Sequence, residues 1–511
     1  MKKKLLMLAL ATVTGLAHAQ KQKTTSTAQQ VVQQAIAAMG GEAALKSISS
    51  LSYHGIGHRY WTEQSERPEG PWIVSYVQVD ELRDVAQSRL LRKTQSKFTQ
   101  SPEWSPVTLK ISEGAAAQEV GARVVPGRSN QLREAEETFA LAPERLLLTA
   151  LQAKDLKLEK QLIYQNVPHQ VLSFTWNGNP LRLLLNAHTH LPTALDLTDS
   201  YPDDLFIGRW GDVTTRTIYS YWTLEAGGIR YPRQRTVERN QQPYEEFTIL
   251  DLKLNPAAPA DTFAIPEATR QAFLIQPARN IDSLPLGLPN KPADTLAVGV
   301  VKIPGMWDVA IVQQPDGLLI LEAPISAGYS SKVIAEANRR FPNQKIKGVI
   351  TTSDAWPHFA GIREYAALGI PIIALDLNKP ILERYLKAPH TQHPDLLQTK
   401  RRKADITLVS GKTVIGTGPN RLELYPVRGE GGERMMMAYF PEHQLLYGSD
   451  LAQRMPDKSF FMPQYVSELT QAVQREHLKV KKVFAMHLEE TDWAELEAAV
   501  QKAAQPLSLK K

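Results

Sequence analysis

Three stretches carry the side chains able to do chemistry. In "TTSDAWPHFAGIREY" (351–365), Asp354 and His358 stand four apart between a strand-like run and a helix-like run. Farther on, "PEHQLLYGSDL" delivers Asp450 and "VKKVFAMH" delivers His487, each at the end of a strand-like run. Imidazole and carboxylate are the groups that hold divalent ions and move protons near neutral pH. The chain has no cysteine, so any metal must rest on His, Asp or Glu, and a thiolate nucleophile is excluded. Asp354 reads as a metal ligand or general base, and equally as the N-cap of the helix that follows. A second histidine pair, His188 and His190 in "NAHTHLP", would share one face of a strand, but no acidic residue nearby completes a ligand set.

At 511 residues the chain exceeds one ordinary core and predicts two or three domains. The opening "MKKKLLMLALATVTGLAHAQ" has a basic start, an apolar run and an Ala17-His18-Ala19 cleavage site. This predicts a signal peptide over residues 1–19, cut before Gln20, and a periplasmic or secreted protein. The formal charge of +6 includes three lysines of that segment, leaving +3, too little to argue for nucleic acid. No other run reaches about 20 apolar residues, so no transmembrane segment is expected in the mature chain.

Between Asn255 and Pro292 seven prolines mark a linker, taken as 256–292. Ahead of it, residues 20–255 begin with a helix capped by Thr25 or Ser26 and ended by Gly40-Gly41. Many strands and few helices follow, which predicts a curved antiparallel sheet with helices against one face. This order resembles the periplasmic lipoprotein carriers of the LolA/LppX type. The resemblance implies an apolar cavity and a small-molecule or lipid-like ligand.

After the linker, strand-helix alternation predicts an αββα sandwich over 293–505. "VITTSDAWPHFAG", "PEHQLLYGSDL" and "VKKVFAMH" occur in the order and setting of the landmarks of the metallo-β-lactamase superfamily, which this region resembles. The family's first motif is H-x-H-x-D-H; here those positions read Ser353, Ala355, Pro357 and His358. A later histidine is replaced by Gly431, flanked by Glu430 and Glu433, whereas Asp450 and His487 match. The resemblance therefore implies that one of two metal sites is lost. The other keeps His358, Asp450 and His487, sufficient for one divalent ion such as zinc. Trp356 and Pro357 fill space beside His358, as an apolar wall or as packing.

Three functions follow as expectations. The first is an exported metal-dependent hydrolase with a reduced single-metal site. The second is a non-catalytic binding or carrier protein that keeps the fold. The third is metal-free acid–base chemistry through Asp354 and His358.

Overall fold

The computed structural model describes residues 27–62, 69–98, 103–259, 261–277 and 279–505. The expected signal peptide and Gln20 lie outside them. The first helix, Ala28–Ala38, is capped by Thr27, next to the expected Ser26, with Gln30 completing a capping box. It buries Val31, Val32, Ala35 and Ile36. Gly40 ends it at φ 117°, where a Cβ would meet the Gly228 carbonyl oxygen at 2.8 Å.

A 14-stranded antiparallel sheet forms most of the first part. Its path joins distant segments: Ser50–Tyr60 pairs antiparallel with Gln242–Leu254, with a register shift between His54 and Gly55. Gly55 is needed there because the Phe247 ring lies where a Cβ would be. Helices Ala28–Ala38 and Pro143–Gln152 cover Leu172, Leu183, Leu185 and Leu195 of the sheet.

A cavity of about 430 Å³ lies between helix Ser129–Leu141 and this sheet. The carrier resemblance implied apolar walls; these walls mix apolar residues such as Leu195, Leu197 and Ile249 with charged ones. Arg83 joins Glu81 to Glu144, which it reaches at 2.9 Å, and Arg92 joins Glu81 at 2.5 Å to Glu134 at 2.8 Å. Tyr231 donates to Glu144 at 3.0 Å, and Arg235 meets Glu245 at 2.9 Å. An acyl chain there would desolvate these ions without replacing their hydrogen bonds.

The proline-rich strap is packed. It contains helix Glu267–Leu274 and buries Phe263 and Ile281. Thr269 donates to the Val124 carbonyl at 3.3 Å, while Asp282 accepts from the Gly328 amide at 2.9 Å. The strap thus touches both the first sheet and helix Ala327–Arg340.

The second part holds two further sheets. Seven strands run in chain order from Asp294–Ala297 to Ile406–Val409, antiparallel up to Gly317–Leu321 and parallel beyond it. The parallel pairs need crossovers, which helices Ala327–Arg340 and Ile362–Leu368 supply. Six strands, from Thr413–Ile415 to Leu488–Asp492, make the other sheet. Ile311, Leu319 and Val349 of the first share a buried cluster with Leu424, Ala438 and Phe484 of the second. Leu446 and Val483 face the opposite way, onto helices Pro463–Arg475 and Trp493–Ala503. Tyr201, Trp210 and Val213, from before the strap, join the same cluster as the two sheets. Among the described residues no helix is long and apolar enough to cross a membrane.

Candidate functional site

Four strand ends assemble the site. Gly317–Leu321 is followed by Glu322 at φ 78°, which turns its carboxylate inward. Ile346–Thr351 leads through a buried loop to the short helix Trp356–Phe359, whose Pro357 suits a first turn and whose third residue is His358. Leu445–Tyr447 passes through Gly448 and Ser449, at φ 53°, to Asp450. Lys482–Ala485 ends two residues before His487.

The sequence-predicted trio comes together. His358 Nε2 lies 3.0 Å from Asp450 Oδ2, and His487 Nε2 lies 3.5 Å from Asp450 Oδ1. His358 Nδ1 stands 3.1 Å from Glu322 Oε2. A carboxylate only accepts, so Nδ1 carries the proton of that contact and Nε2 is turned toward Asp450. Thr352 donates to Glu322 and lies 2.8 Å from the Ser449 hydroxyl, tying the loop to both neighbours. Burial disfavours charge on His358, but the flanking Glu322 and Asp450 carboxylates outweigh it and raise its pKa. Burial likewise opposes Asp450, whose pKa is nevertheless lowered by His358. His487 is lowered by burial.

Asp450 meets the two imidazoles through different oxygens, so the contacts form a chain. Among the described residues no three His, Asp or Glu side chains are gathered as a closed ligand set. Two atoms of the chain are nevertheless buried without a hydrogen-bond partner, His358 Nε2 and Asp450 Oδ1.

Asp354 does not join the trio. It is 3% exposed, its Oδ2 has no hydrogen-bond partner, and it does not line the cavity above Asp450. Burial pushes its pKa up to about 8, against the pull of Arg434. Nor does it cap the helix: the residue before Trp356–Phe359 is Ala355, which makes no side-chain cap. Ser353 accepts from the Ala355 amide at 3.1 Å. Gly431 is closed to any larger residue, because a Cβ there would fall 2.2 Å from the Tyr465 ring. Its loop is held by Glu468, which accepts from the Gly431 and Gly432 amides at 2.9 and 2.8 Å. Glu430 is exposed, and neither it nor Glu433 lines the cavity. His188 and His190 sit in the turn after strand Asn179–Asn186, so they share no strand face.

Asp450 and His487 form the polar floor of a cavity of about 330 Å³. Its walls are aromatic: Trp307, Trp356, Phe461 and Tyr465 from the second part, with Trp61, Phe98 and Phe206 from the first. Phe206 meets Trp356 edge-on at 5.2 Å, as does Trp307 at 4.8 Å. Trp356 is therefore both packing and wall.

Sequence reasoning missed Glu322. Its signal was a carboxylate ending the apolar run "GLLILE", a position where a charge survives only with a partner.

No family model matches this chain, and no curated protein does. Solved structures are similar over part of it. A metallo-β-lactamase from Pontibacter korlensis is 16% identical, covering 41% of this chain and 90% of its own, with a TM-score of 0.31. The metallo-β-lactamase FIM-1 from Pseudomonas aeruginosa, in its mono-zinc form, is 14% identical over 43% of this chain and 99% of its own, with a TM-score of 0.33. The DIM-1 metallo-β-lactamase is 14% identical over 42% and 97%, with a TM-score of 0.31.

Proposed function

We propose that residues 293–505 are a metallo-β-lactamase-like αββα sandwich, and that the exported protein is a metal-dependent hydrolase with a reduced, single-metal site. Trp61, Phe98 and Phe206 of the N-terminal unit, 20–255, complete its pocket, and the packed strap, 256–292, joins the two parts. One observation carries the reading: His358 Nε2, the Asp450 carboxylate and His487 Nε2 stand in sequence at 3.0 and 3.5 Å, with Asp450 and His487 lining an aromatic chamber and His358 buried behind them. Donors sharing one ion at about 2.0–2.2 Å stand about 3.0–3.5 Å apart from each other. The buried Nε2 and Oδ1 without hydrogen bonds are atoms of this set. One divalent ion, such as zinc, would be held by His358, Asp450 and His487, which do not form a closed ligand set in this structure. Such an ion, when bound, supplies Lewis-acid polarisation of an ester, amide or phosphate oxygen.

The chain's own groups do the rest. Glu322 holds the Nδ1 proton of His358 and so directs Nε2 into the site. Seven aromatic rings line the walls around Asp450 and His487. Asp354, with its pKa raised to about 8 by burial, keeps its proton at neutral pH, which argues against its serving as a resting-state base. The test is hydrolysis of a panel of aryl esters, amides and phosphates by the whole chain. Activity that chelator removes and added zinc or manganese restores supports the reading; activity indifferent to both rejects it.

A second reading, a non-catalytic binding protein, is favoured by one feature. His358 already pairs with both Glu322 and Asp450 without an ion. Stoichiometric ligand binding without turnover or metal would select it.

A further inference from the structure

The chamber above Asp450 has a one-sided chemistry. Its lining holds one carboxylate, Asp450, and among the described residues no lysine or arginine. The other polar side chains in the wall are Gln453, Tyr465 and His487, and aromatic rings dominate the rest. A wall so composed offers an anion no side-chain cation of its own. A carboxylate and the negative faces of aromatic rings both attract a cation.

The rings follow one another without stacking. Trp61 meets Phe98 at 4.7 Å with the planes 46° apart, and Phe206 at 5.7 Å and 79°. Phe206 meets Trp356 at 5.2 Å and 64°, and Trp356 meets Trp307 at 4.8 Å and 71°. Walls turned at such angles surround a space instead of layering on one another. The inner and outer rings differ in exposure: Trp356 is 1% exposed, whereas Phe98 is 36% and Phe206 47% exposed. Trp356 already serves as a cation seat, because the Arg209 guanidinium of the neighbouring cavity lies 4.8 Å over its ring. The exposed rings, with Trp61 between them, are the ones left to meet a ligand at the mouth, and all three come from the N-terminal unit.

We infer that the chamber takes an organic ammonium, its methylated head among Trp61, Phe98 and Phe206 and its other end reaching toward Asp450 and His487. Such a head covers the exposed rings by apolar contact and by the attraction of its charge to their faces. A divalent ion on the floor does not oppose this, because Glu322 and Asp450, the two carboxylates that His358 contacts, together match its double charge. That the far end is an ester or amide to be cleaved rests on the proposed function; the binding of the head does not. The N-terminal unit is then a specificity element, selecting by charge what reaches Asp450 and His487.

Calorimetry on the whole chain with choline, its uncharged carbon isostere 3,3-dimethylbutanol and the anion 3,3-dimethylbutanoate tests this. Choline should bind about tenfold tighter than the alcohol, the ratio a desolvated cation–π contact supplies, and the anion no tighter than the alcohol. Phe206→Leu keeps apolar bulk but removes the ring, so it should cut the choline-to-alcohol ratio about threefold, while Phe206→Tyr should keep it. Phe98→Leu replaces the first variant should that one not fold. Equal binding of choline and alcohol, tighter binding of the anion, no binding of any, or an undiminished ratio in the folded leucine variants would overturn the inference. Metal content and ester hydrolysis are read on the same samples. Choline preference without metal or turnover removes only the hydrolase reading; metal-dependent turnover without choline preference removes only this inference.

Discussion

The molecule buries two clusters of ionisable groups, and they are built on opposite rules. In the first part, Arg83 lies between Glu81 and Glu144, and Arg92 between Glu81 and Glu134. No buried nitrogen or oxygen of Glu81, Arg83, Arg92 or Glu144 lacks a hydrogen-bond partner. In the second part, Glu322, His358, Asp450 and His487 form a chain in which His358 Nε2 and Asp450 Oδ1 meet their neighbours at 3.0 and 3.5 Å without making a hydrogen bond, beside an aromatic cavity. A closed network fixes a fold; an open one has capacity left for a ligand. The comparison teaches that perturbed titration alone does not mark a site, since both clusters shift strongly. Incomplete satisfaction beside a cavity does.

Breaking the closed network should have the largest effect on stability. Arg83→Met leaves Glu81 and Glu144 buried with one partner fewer, and removal of one member of a buried pair costs about 3–5 kcal/mol. Urea unfolding should show that loss, while ligand binding in the chamber of any folded fraction stays intact. In the open chain the order reverses. His487→Ala should leave the melting temperature within a few degrees of the parent and abolish ion retention. Glu322→Gln lies between: the amide can present an oxygen to Nδ1 but no charge. Ion affinity should fall about 10–100-fold, as for other partners of metal-bound histidine.

A pH series sharpens the contrast. Asp354 has its folded pKa raised to about 8, above the unfolded value, so the folded state favours the protonated carboxyl. Its stabilising contribution is complete below about pH 4 and declines as pH rises through about 8. Melting temperatures should therefore drop between pH 5 and 8 more steeply in the parent than in Asp354→Asn, which keeps a neutral side chain throughout. Equal slopes would place that titration elsewhere. The smallest effect belongs to Ser353→Ala, which loses one acceptor for the Ala355 amide. It should cost about 1 kcal/mol in denaturant titration and leave ion content unchanged.

Much of this was legible from the chain. Strand-end punctuation located the loops, because a residue just past an apolar run is where a loop must turn back, and the resemblance of three such loops to a known motif order singled out His358, Asp450 and His487. What escaped depended on distant partners. Glu322 was hidden because its meaning comes from His358, 36 residues on. The charged cavity was hidden because Arg83, Arg92 and Glu144 read as surface residues until the sheet curves around them. Proline density at 256–292 signalled a break in regular structure, yet Phe263 and Ile281 anchor the strap by burial that proline counting does not register.

The central claim is that His358, Asp450 and His487 hold one ion. Elemental analysis of the purified whole chain, before and after exposure to zinc, manganese and iron(II), tests it most directly. About one equivalent per chain, absent from His487→Ala and retained in Ser353→Ala, is the predicted result. No bound metal in the parent and no uptake of any of the three would contradict it.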